Sequence, residues 1–142
     1  MDNKEAIDFA ESYLMQQKER CMVTNATTRC VYWRPDGNMC LIGAMLGSEL
    51  AQELATNVTT KDLAWSSIRC HPHIRHPQPP SQVRDVLVRA AAKLEGVNED
   101  LLTDLQALHD YTDADREPGW ERSAEGKQHI QMKLRSLRKK YV

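Results

Sequence analysis

Four prolines within eleven residues constrain this fold more than any other feature of the sequence. They lie in the segment 70–80, which reads CHPHIRHPQPP. Each proline removes a backbone donor and biases the residue before it toward extended geometry, so this segment cannot form a regular helix. The chain of 142 residues has the size of one domain. We therefore predict a single domain, 1–142, with a mixed half (1–69), a Pro/His loop (70–80) and a helical half (81–142).

Apolar residues recur at helical spacing at the N-terminus and through most of the second half. The pattern predicts helices over 3–20, from Ser81 onward, from Asn98 to about Tyr111, and from about Pro118 to Lys140. Asn98 is a typical N-cap residue, and the leucines that follow it fall on one face. Those leucines are Leu101, Leu102, Leu105 and Leu108.

A strand–turn–strand pattern is the main exception to this helical periodicity. The segment 30–33 is short, β-branched and aromatic, which is typical of a strand. Pro35, Asp36 and Gly37 then favour a tight turn. The segment 39–42 is the predicted return strand, although it could instead open the next helix. The predicted fold class is therefore α+β and mostly helical, with a short β-hairpin packed on five or six helices.

The hydropathy of the chain and its N-terminus indicate where the protein is located. No run approaches the roughly 20 apolar residues that span a bilayer, and the acidic N-terminus lacks the basic start of a signal peptide. We expect a soluble protein that stays where it is made.

The net charge is −1, but the segment 126–142 carries six Lys/Arg and no acid, while the rest carries 13 bases and 20 acids. The favoured interpretation is internal pairing of this basic tail with the acidic segment 95–125. A docking surface is the alternative.

Potential metal ligands are concentrated in the Pro/His loop. Cys70, His71, His73 and His76 provide four thiol or imidazole groups within seven residues. These are the groups that zinc prefers, but their spacing matches no structural zinc pattern. The favoured interpretation is a polar surface loop without a cofactor, and a zinc-binding module is the alternative.

Cys40, His109 and Asp110 form a second candidate constellation. A thiol at a helix N-terminus has a lowered pKa, and a histidine supported by an acid can act as its base. Cys40 lies in an apolar stretch, however, and His109 lies at the edge of the leucine face. We therefore favour a buried, inert thiol and a hydrogen-bonded core histidine over a thiol enzyme.

The basic C-terminal helix offers a nucleic-acid-binding surface as a further alternative. Its candidate phosphate contacts are Lys133, Arg135, Arg138, Lys139 and Lys140. Against this, the slightly negative net charge is unusual for a general nucleic-acid binder.

The sequence contains no phosphate-cradling glycine loop, no G-x-S-x-G and no H-E-x-x-H. No catalytic residue is predicted, and the balance of these observations favours a protein that is not an enzyme.

Several separated motifs together resemble a known group of proteins. They are Cys30-Val31-Tyr32-Trp33, Pro35-Asp36-Gly37, Cys40-Leu41-Ile42-Gly43, and Leu105-Gln106-Ala107-Leu108-His109-Asp110. This arrangement resembles small uncharacterised proteins of bacteriophages and bacterial mobile elements that share a C-x-Y…DG…C-x-x-G segment and an LQ-x-x-HD helix. The resemblance implies a phage-type accessory protein in the bacterial host cytoplasm. It brings no biochemical activity with it.

The predicted function is therefore that of a small non-catalytic protein that binds and modulates a host or defence protein, as an anti-defence inhibitor or adaptor. Aromatic and charged anchors dominate many such interfaces. The candidate partner-binding residues are Trp33, Trp65, Asp110, Asp113 and Asp115. Trp120 is expected to pack in the core. No membrane partner is predicted, and pairing of the C-terminal helix with a second copy is left open.

Overall fold

The computed structural model describes residues 1–24, 28–30, 32–57, 88–90, 92–111 and 115–142. Several sequence-based predictions fall elsewhere in the chain and are named where they arise. No helix in the described part of the chain is long and apolar enough to cross a bilayer.

The first helix, α1, spans Asn3–Gln16 and begins with a capping box. The Asp2 Oδ1 atom accepts a hydrogen bond from the Glu5 backbone N–H at 2.8 Å, and the Glu5 carboxylate accepts one from the Asp2 N–H at 3.3 Å. These bonds satisfy donors that a helix N-terminus leaves without intrahelical partners. The buried face of α1 consists of Ala6, Ile7, Ala10 and Leu14.

The predicted hairpin around Asp36 and Gly37 is wrong, and so is the α+β class. The turn itself forms, because the Asn38 N–H donates to the Asp36 Oδ1 atom at 2.9 Å and Gly37 adopts a φ of +86°. Beyond the turn, the two arms share one antiparallel bridge, between Trp33 and Met39. The predicted return strand begins a helix instead, and the fold of the described residues is all-α apart from the short strand pair described below.

Helix α2 takes the place of that strand and spans Leu41–Leu46, with Cys40 as its N-cap. Five of its six residues are buried. Such a helix has no polar face, so its sequence shows the same continuous apolar run as a buried strand. Gly43 allows the helix to fit, since a Cβ atom there would lie 2.2 Å from the Tyr32 carbonyl oxygen.

Two three-residue strands lie before the predicted hairpin, and the second of them shares only Cys30 with the predicted strand 30–33. Strand β1, Met22–Thr24, pairs antiparallel with β2, Thr28–Cys30. This local pair lies between α1 and the turn. The hydrophobic core is formed mainly by residues of the helices.

The middle helices follow the sequence pattern more closely. Helix α3 spans Ser48–Asn57, residues 88–90 and 92–93 are helical, and α4 spans Glu99–Asp110. Asn98 is the N-cap of α4, as predicted, and its Oδ1 atom accepts from the Asp100 N–H at 2.8 Å. All four predicted leucines of α4 are buried. The predicted helix start at Ser81 lies outside the described residues.

The C-terminal span is divided where the sequence predicts one helix. A 3-10 helix, Trp120–Arg122, precedes α5, which spans Ala124–Tyr141. Ser123 separates them because its backbone is extended, and its Oγ atom caps α5 by accepting from the Gly126 N–H at 3.2 Å. The short 3-10 segment buries Glu121 and Arg122.

Helix α1 is central to the packing. It contacts α2, α4 and α5, and α4 also contacts α2 and α5. Ile130 and Leu134 of α5 belong to the same hydrophobic core as the apolar face of α1. Hydrogen bonds described below join the end of α1, the start of α2, the end of α4 and the 3-10 helix, and the polar groups of the interior are concentrated there.

Candidate functional site

His109, on the last turn of α4, is fully buried and uses both of its ring nitrogens. The Cys21 backbone N–H donates to Nε2 at 3.2 Å, and Nδ1 lies 2.7 Å from the Asp110 Oδ1 atom. Because Nε2 accepts a hydrogen bond, it carries no proton, so the ring proton is on Nδ1 and points to the carboxylate. Neither nitrogen is available to take a proton from a thiol.

Gln106 lies one turn before His109 and is almost completely buried. Its Oε1 atom accepts from the Ile42 N–H at 3.3 Å, and its Nε2 atom donates to the Asp110 Oδ1 atom at 3.0 Å. The first of these bonds satisfies a donor in the first turn of α2. One amide side chain therefore joins the start of α2 to the end of α4.

Two buried thiols in the described part of the chain also make structural bonds. The Cys40 Sγ atom accepts from the Gly43 N–H at 3.3 Å, as an N-cap group does. The Cys21 thiol donates to the Asn38 carbonyl oxygen at 3.1 Å. Burial, with a smaller contribution from the neighbouring Cys40, raises the pKa of Cys21 to about 12. A thiol in this state is a poor nucleophile, because thiolate is the reactive form.

Two arginines bind the C-terminal end of α4. Arg122 donates from Nη2 to the His109 carbonyl oxygen at 2.7 Å, and Arg20 donates from Nη1 to the Asp110 carbonyl oxygen at 3.1 Å. Arg20 also pairs with the buried carboxylate of Glu121, at 3.1 Å. Cations here satisfy carbonyls that lack intrahelical donors and favour the negative end of the helix dipole.

Arg122 is the most strongly desolvated cation of this region. It is 6% exposed, and desolvation lowers its pKa to about 10. Its Nη2 atom also donates to the Gln17 Oε1 atom at 3.2 Å, whereas Nε and Nη1 have no hydrogen-bond partner within the described residues. Gln17 continues the connection, since its Nε2 atom donates to the Asn38 Oδ1 atom and the Met39 carbonyl oxygen, each at 2.9 Å.

We call this set the interior network, and define it as Gln17, Cys21, Cys40, Gln106, His109, Asp110 and Arg122. Its bonds run between four segments of the chain. The predicted trio of Cys40, His109 and Asp110 does lie within it. The occupied imidazole makes the network a structural connection rather than a nucleophile–base pair, which agrees with the favoured interpretation of His109.

A cluster of aromatic rings lies outside this network, near the protein surface. The half-buried rings of Tyr111 and His129 stack with centroids 4.8 Å apart, and Tyr111 meets Trp120 at 6.2 Å and an angle of 57°. The Arg116 guanidinium lies over the Trp120 ring, 5.2 Å from its centroid. The Trp120 indole N–H donates to the Glu125 carboxylate at 3.2 Å. Trp120 is therefore part of a surface cluster.

The predicted partner-binding residues occupy different environments. Trp33 is half-buried and packs against the core. The Asp110 side chain is 39% exposed and also belongs to the interior network, while Asp115 is exposed. Trp65 and Asp113 lie outside the described residues, as do the four candidate zinc ligands Cys70, His71, His73 and His76. The zinc hypothesis therefore stays a prediction.

The basic residues of α5 divide into two groups. Arg138 pairs with Asp8 at 2.6 Å and with Glu11 at 3.5 Å, and Lys127 donates to the Met15 carbonyl oxygen at 2.7 Å. These two therefore connect α5 to α1. The other candidate phosphate contacts are exposed: Lys133, Arg135, Lys139 and Lys140.

Two open grooves carry cations that already have intramolecular partners. One, of about 450 Å³, lies between the end of α1 and the Asp36 turn, and its Arg34 pairs with Glu19 and Asp36. Another, of about 570 Å³, lies at the start of α3, where Arg89 pairs with Glu53 and Lys93 donates to a carbonyl oxygen of α2. Neither groove contains a buried, unpaired charge among its lining residues.

Sequence reasoning found His109 and Asp110 but missed Gln106, Cys21 and Arg122 as their partners. One signal was present, since Gln106 and His109 lie three positions apart and extend the buried leucine face of α4. Polar residues on such a face need internal partners.

Comparison of the chain with protein-family models, curated proteins and solved structures finds no match.

Proposed function

We propose that this chain is a non-catalytic interaction protein that binds and modulates a protein of a bacterial host or of a defence system. The observation that supports this most is the state of His109. Both ring nitrogens are used within the interior network, so the best sequence candidate for a general base has no free site for a substrate proton.

Two further observations support a binding role. The aromatic cluster of Tyr111, Trp120 and His129 combines large ring area with exposed charged neighbours, as interface anchors do. The sequence also resembles small phage and mobile-element proteins. We take an inhibitor or adaptor that acts in a bacterial cell to be the simplest role for a chain with these features.

Capture from bacterial lysate, followed by reconstitution, tests this proposal. The tagged wild type should retain one protein at stoichiometric yield, and the purified partner should bind it again and change its activity. Trp120→Leu should weaken that complex, whereas Met132→Ser, at a position 62% exposed on α5, should not. Absence of any stoichiometric partner, or a complex that leaves the partner's activity unchanged, would count against the proposal.

Nucleic-acid binding is a second candidate, favoured by the four exposed cations of α5. If they contact phosphates, affinity for a DNA duplex should fall with salt, with a logarithmic slope of about −3 to −4. Changing Lys139 and Lys140 to Gln should reduce that slope, whereas Arg138→Gln should alter it little because Arg138 pairs with α1. Fluorescence anisotropy measures both effects. Equal affinity in all three proteins would remove this candidate.

A further inference from the structure

The environment of the Trp120 indole favours binding of a cation to the face of the ring. Its N–H donates to the Glu125 carboxylate at 3.2 Å, and this bond increases the electron density of the ring. A cation over an electron-rich indole gains more from the ring quadrupole than a cation over a phenyl ring does. Tyr111 borders the same ring and, stacked on His129, supports one side of it.

The chain segment that carries Trp120 is rich in acidic residues. The segment 110–125 contains six acids and two bases, a net charge of −4. Asp115, Glu117 and Glu125 are exposed, whereas Arg122 is buried beneath the surface. An incoming cation therefore meets an attractive field as well as an aromatic face. We call Tyr111, Trp120, His129 and these three exposed acids the acid–aromatic patch.

One guanidinium already occupies this patch. Arg116 is exposed, and its Cζ atom lies 5.2 Å from the centroid of the Trp120 ring. This intramolecular contact thus identifies the guanidinium of arginine as a group that binds to the indole face. A planar guanidinium can stack on a ring and donate to a carboxylate at the same time, which the compact ammonium of lysine does less well.

We propose that the acid–aromatic patch binds an arginine side chain in a cationic segment of the partner protein, and that Arg116 holds the same position in the unbound chain. This inference rests on the proposed function and specifies the chemistry of the partner. Binding replaces an intramolecular guanidinium with an intermolecular one, so Arg116 competes with the partner.

A fluorescein-labelled hexa-arginine peptide is a suitable probe, with anisotropy measured on the purified full chain. Trp120→Leu should weaken binding by about tenfold, the size expected for loss of a cation–π contact with its packing. Arg116→Ala should strengthen binding by about threefold, because the internal competitor is gone. Hexa-lysine should bind more weakly than hexa-arginine. Glu125→Gln should also weaken binding, and it keeps the size of the side chain.

Weaker binding by Trp120→Leu, which removes no charge, separates this proposal from general attraction of a basic peptide, because Arg116→Ala and Glu125→Gln would shift the affinity in the same directions through charge alone. Met132→Ser, at a position 62% exposed on α5, is the control and should bind like the wild type. Equal binding by wild type and Trp120→Leu, or weaker binding by Arg116→Ala, would overturn the inference. If Trp120→Leu unfolds, Trp120→Phe decides the outcome, because it also leaves the charge unchanged, removes the indole N–H that donates to Glu125 and should weaken binding.

The lysate experiment distinguishes failure of this inference from failure of the proposed function. A stoichiometric partner that Trp120→Leu and wild type retain equally would refute the patch and leave the interaction role in place. If the variants change peptide affinity in the expected directions but no cellular partner is captured, the acid–aromatic patch is supported and the proposed interaction function is refuted. Self-association abolished by Arg135→Gln, an exposed position on α5, would identify a second copy as the occupant and overturn the inference.

Discussion

The imidazole of His109 connects two parts of the chain that lie 88 positions apart. Its Nε2 atom accepts from the Cys21 N–H, and its Nδ1 atom lies beside the Asp110 carboxylate. A histidine followed by an aspartate suggests a catalytic pair in sequence. The geometry makes the same pair a connection between the chain after α1 and the end of α4. An acidic residue next to a histidine in the sequence is therefore weaker evidence of catalysis than a histidine ring nitrogen that has no hydrogen-bond partner.

The tautomer of His109 follows directly from these contacts. A long-range ¹H–¹⁵N correlation spectrum near neutral pH should show the proton on Nδ1 and an unprotonated Nε2. His129, whose half-buried ring is stacked on Tyr111, serves as an internal comparison. A proton on Nε2 of His109 would contradict the Cys21 contact.

Cys21 should be unreactive in the folded protein. Burial raises its pKa to about 12, so almost no thiolate is present near neutral pH. In a variant with Cys30→Ser and Cys70→Ser, only Cys21 and Cys40 remain. Maleimide should label these two at least about 100-fold more slowly in the native protein than in denaturant. Rapid labelling of either thiol in the native protein would show an accessible nucleophile.

At the scale of elements, the short helix α2 shows how context decides between strand and helix. Its apolar run is compatible with both in sequence. The helical form is supported by the cap at Cys40 and by the hydrogen bond that the Ile42 N–H donates to Gln106. The bond to Gln106 crosses 64 positions, so no local pattern could reveal it. The turn at Asp36, in contrast, depends on local bonds and was predicted.

Gly43→Ala tests the close approach of α2 to the chain before it. Gly to Ala inside a helix ordinarily stabilises by about 0.5–1 kcal/mol. Here the added Cβ would lie 2.2 Å from the Tyr32 carbonyl oxygen, so we expect a loss of about 2 kcal/mol or more in the free energy of unfolding. Urea denaturation measures it. Ala44→Gly, a control for helix propensity alone, should cost about 1 kcal/mol, and a stabilising Gly43→Ala would refute the contact.

The contact between α1 and α5 should depend on pH in the acid range. Hydrogen bonds from Lys4 and from Arg138 hold the pKa of Asp8 below its ordinary value. The carboxylate therefore adds stability above the pKa of an unfolded aspartate, and this contribution is lost as the pH falls through the lower folded pKa.

Wild type and Asp8→Asn should thus differ in urea midpoint at about pH 6, and the difference should shrink as the pH falls below about 4. Arg138→Gln should remove part of the same difference, since it takes away one of the two donors. A difference between wild type and Asp8→Asn that stays constant with pH would show that the pair does not form.

At the scale of the whole molecule, sequence patterns predicted the helical content and the leucine face of α4, because these depend on neighbours three or four positions apart. They missed the interior network, whose bonds join distant segments. They also expected Trp120 in the core, because one continuous helix from Pro118 would carry it on the buried face of α5. The break at Ser123 changes that direction and brings Trp120 to Tyr111 and Arg116.

The charge distribution of the whole chain has two separate uses. Arg138 and Lys127 bind α1, so part of the basic segment does pair internally, as the sequence suggested. The partners of these two residues are Asp8, Glu11 and a carbonyl of α1, while Lys140 lies in the field of Asp104 and Asp100 of the acidic segment. The exposed acids around Trp120 therefore still contribute an attractive field for a cationic partner.

The central claim is that the interior network joins α1, α2, α4 and the 3-10 helix into one cooperative unit. Hydrogen exchange of the Cys21 amide tests this most directly, because Cys21 lies outside α1 and β1 and its N–H depends on His109. Its opening free energy should match that of global unfolding within about 1 kcal/mol. Exchange at the rate of an unprotected loop amide would contradict the claim.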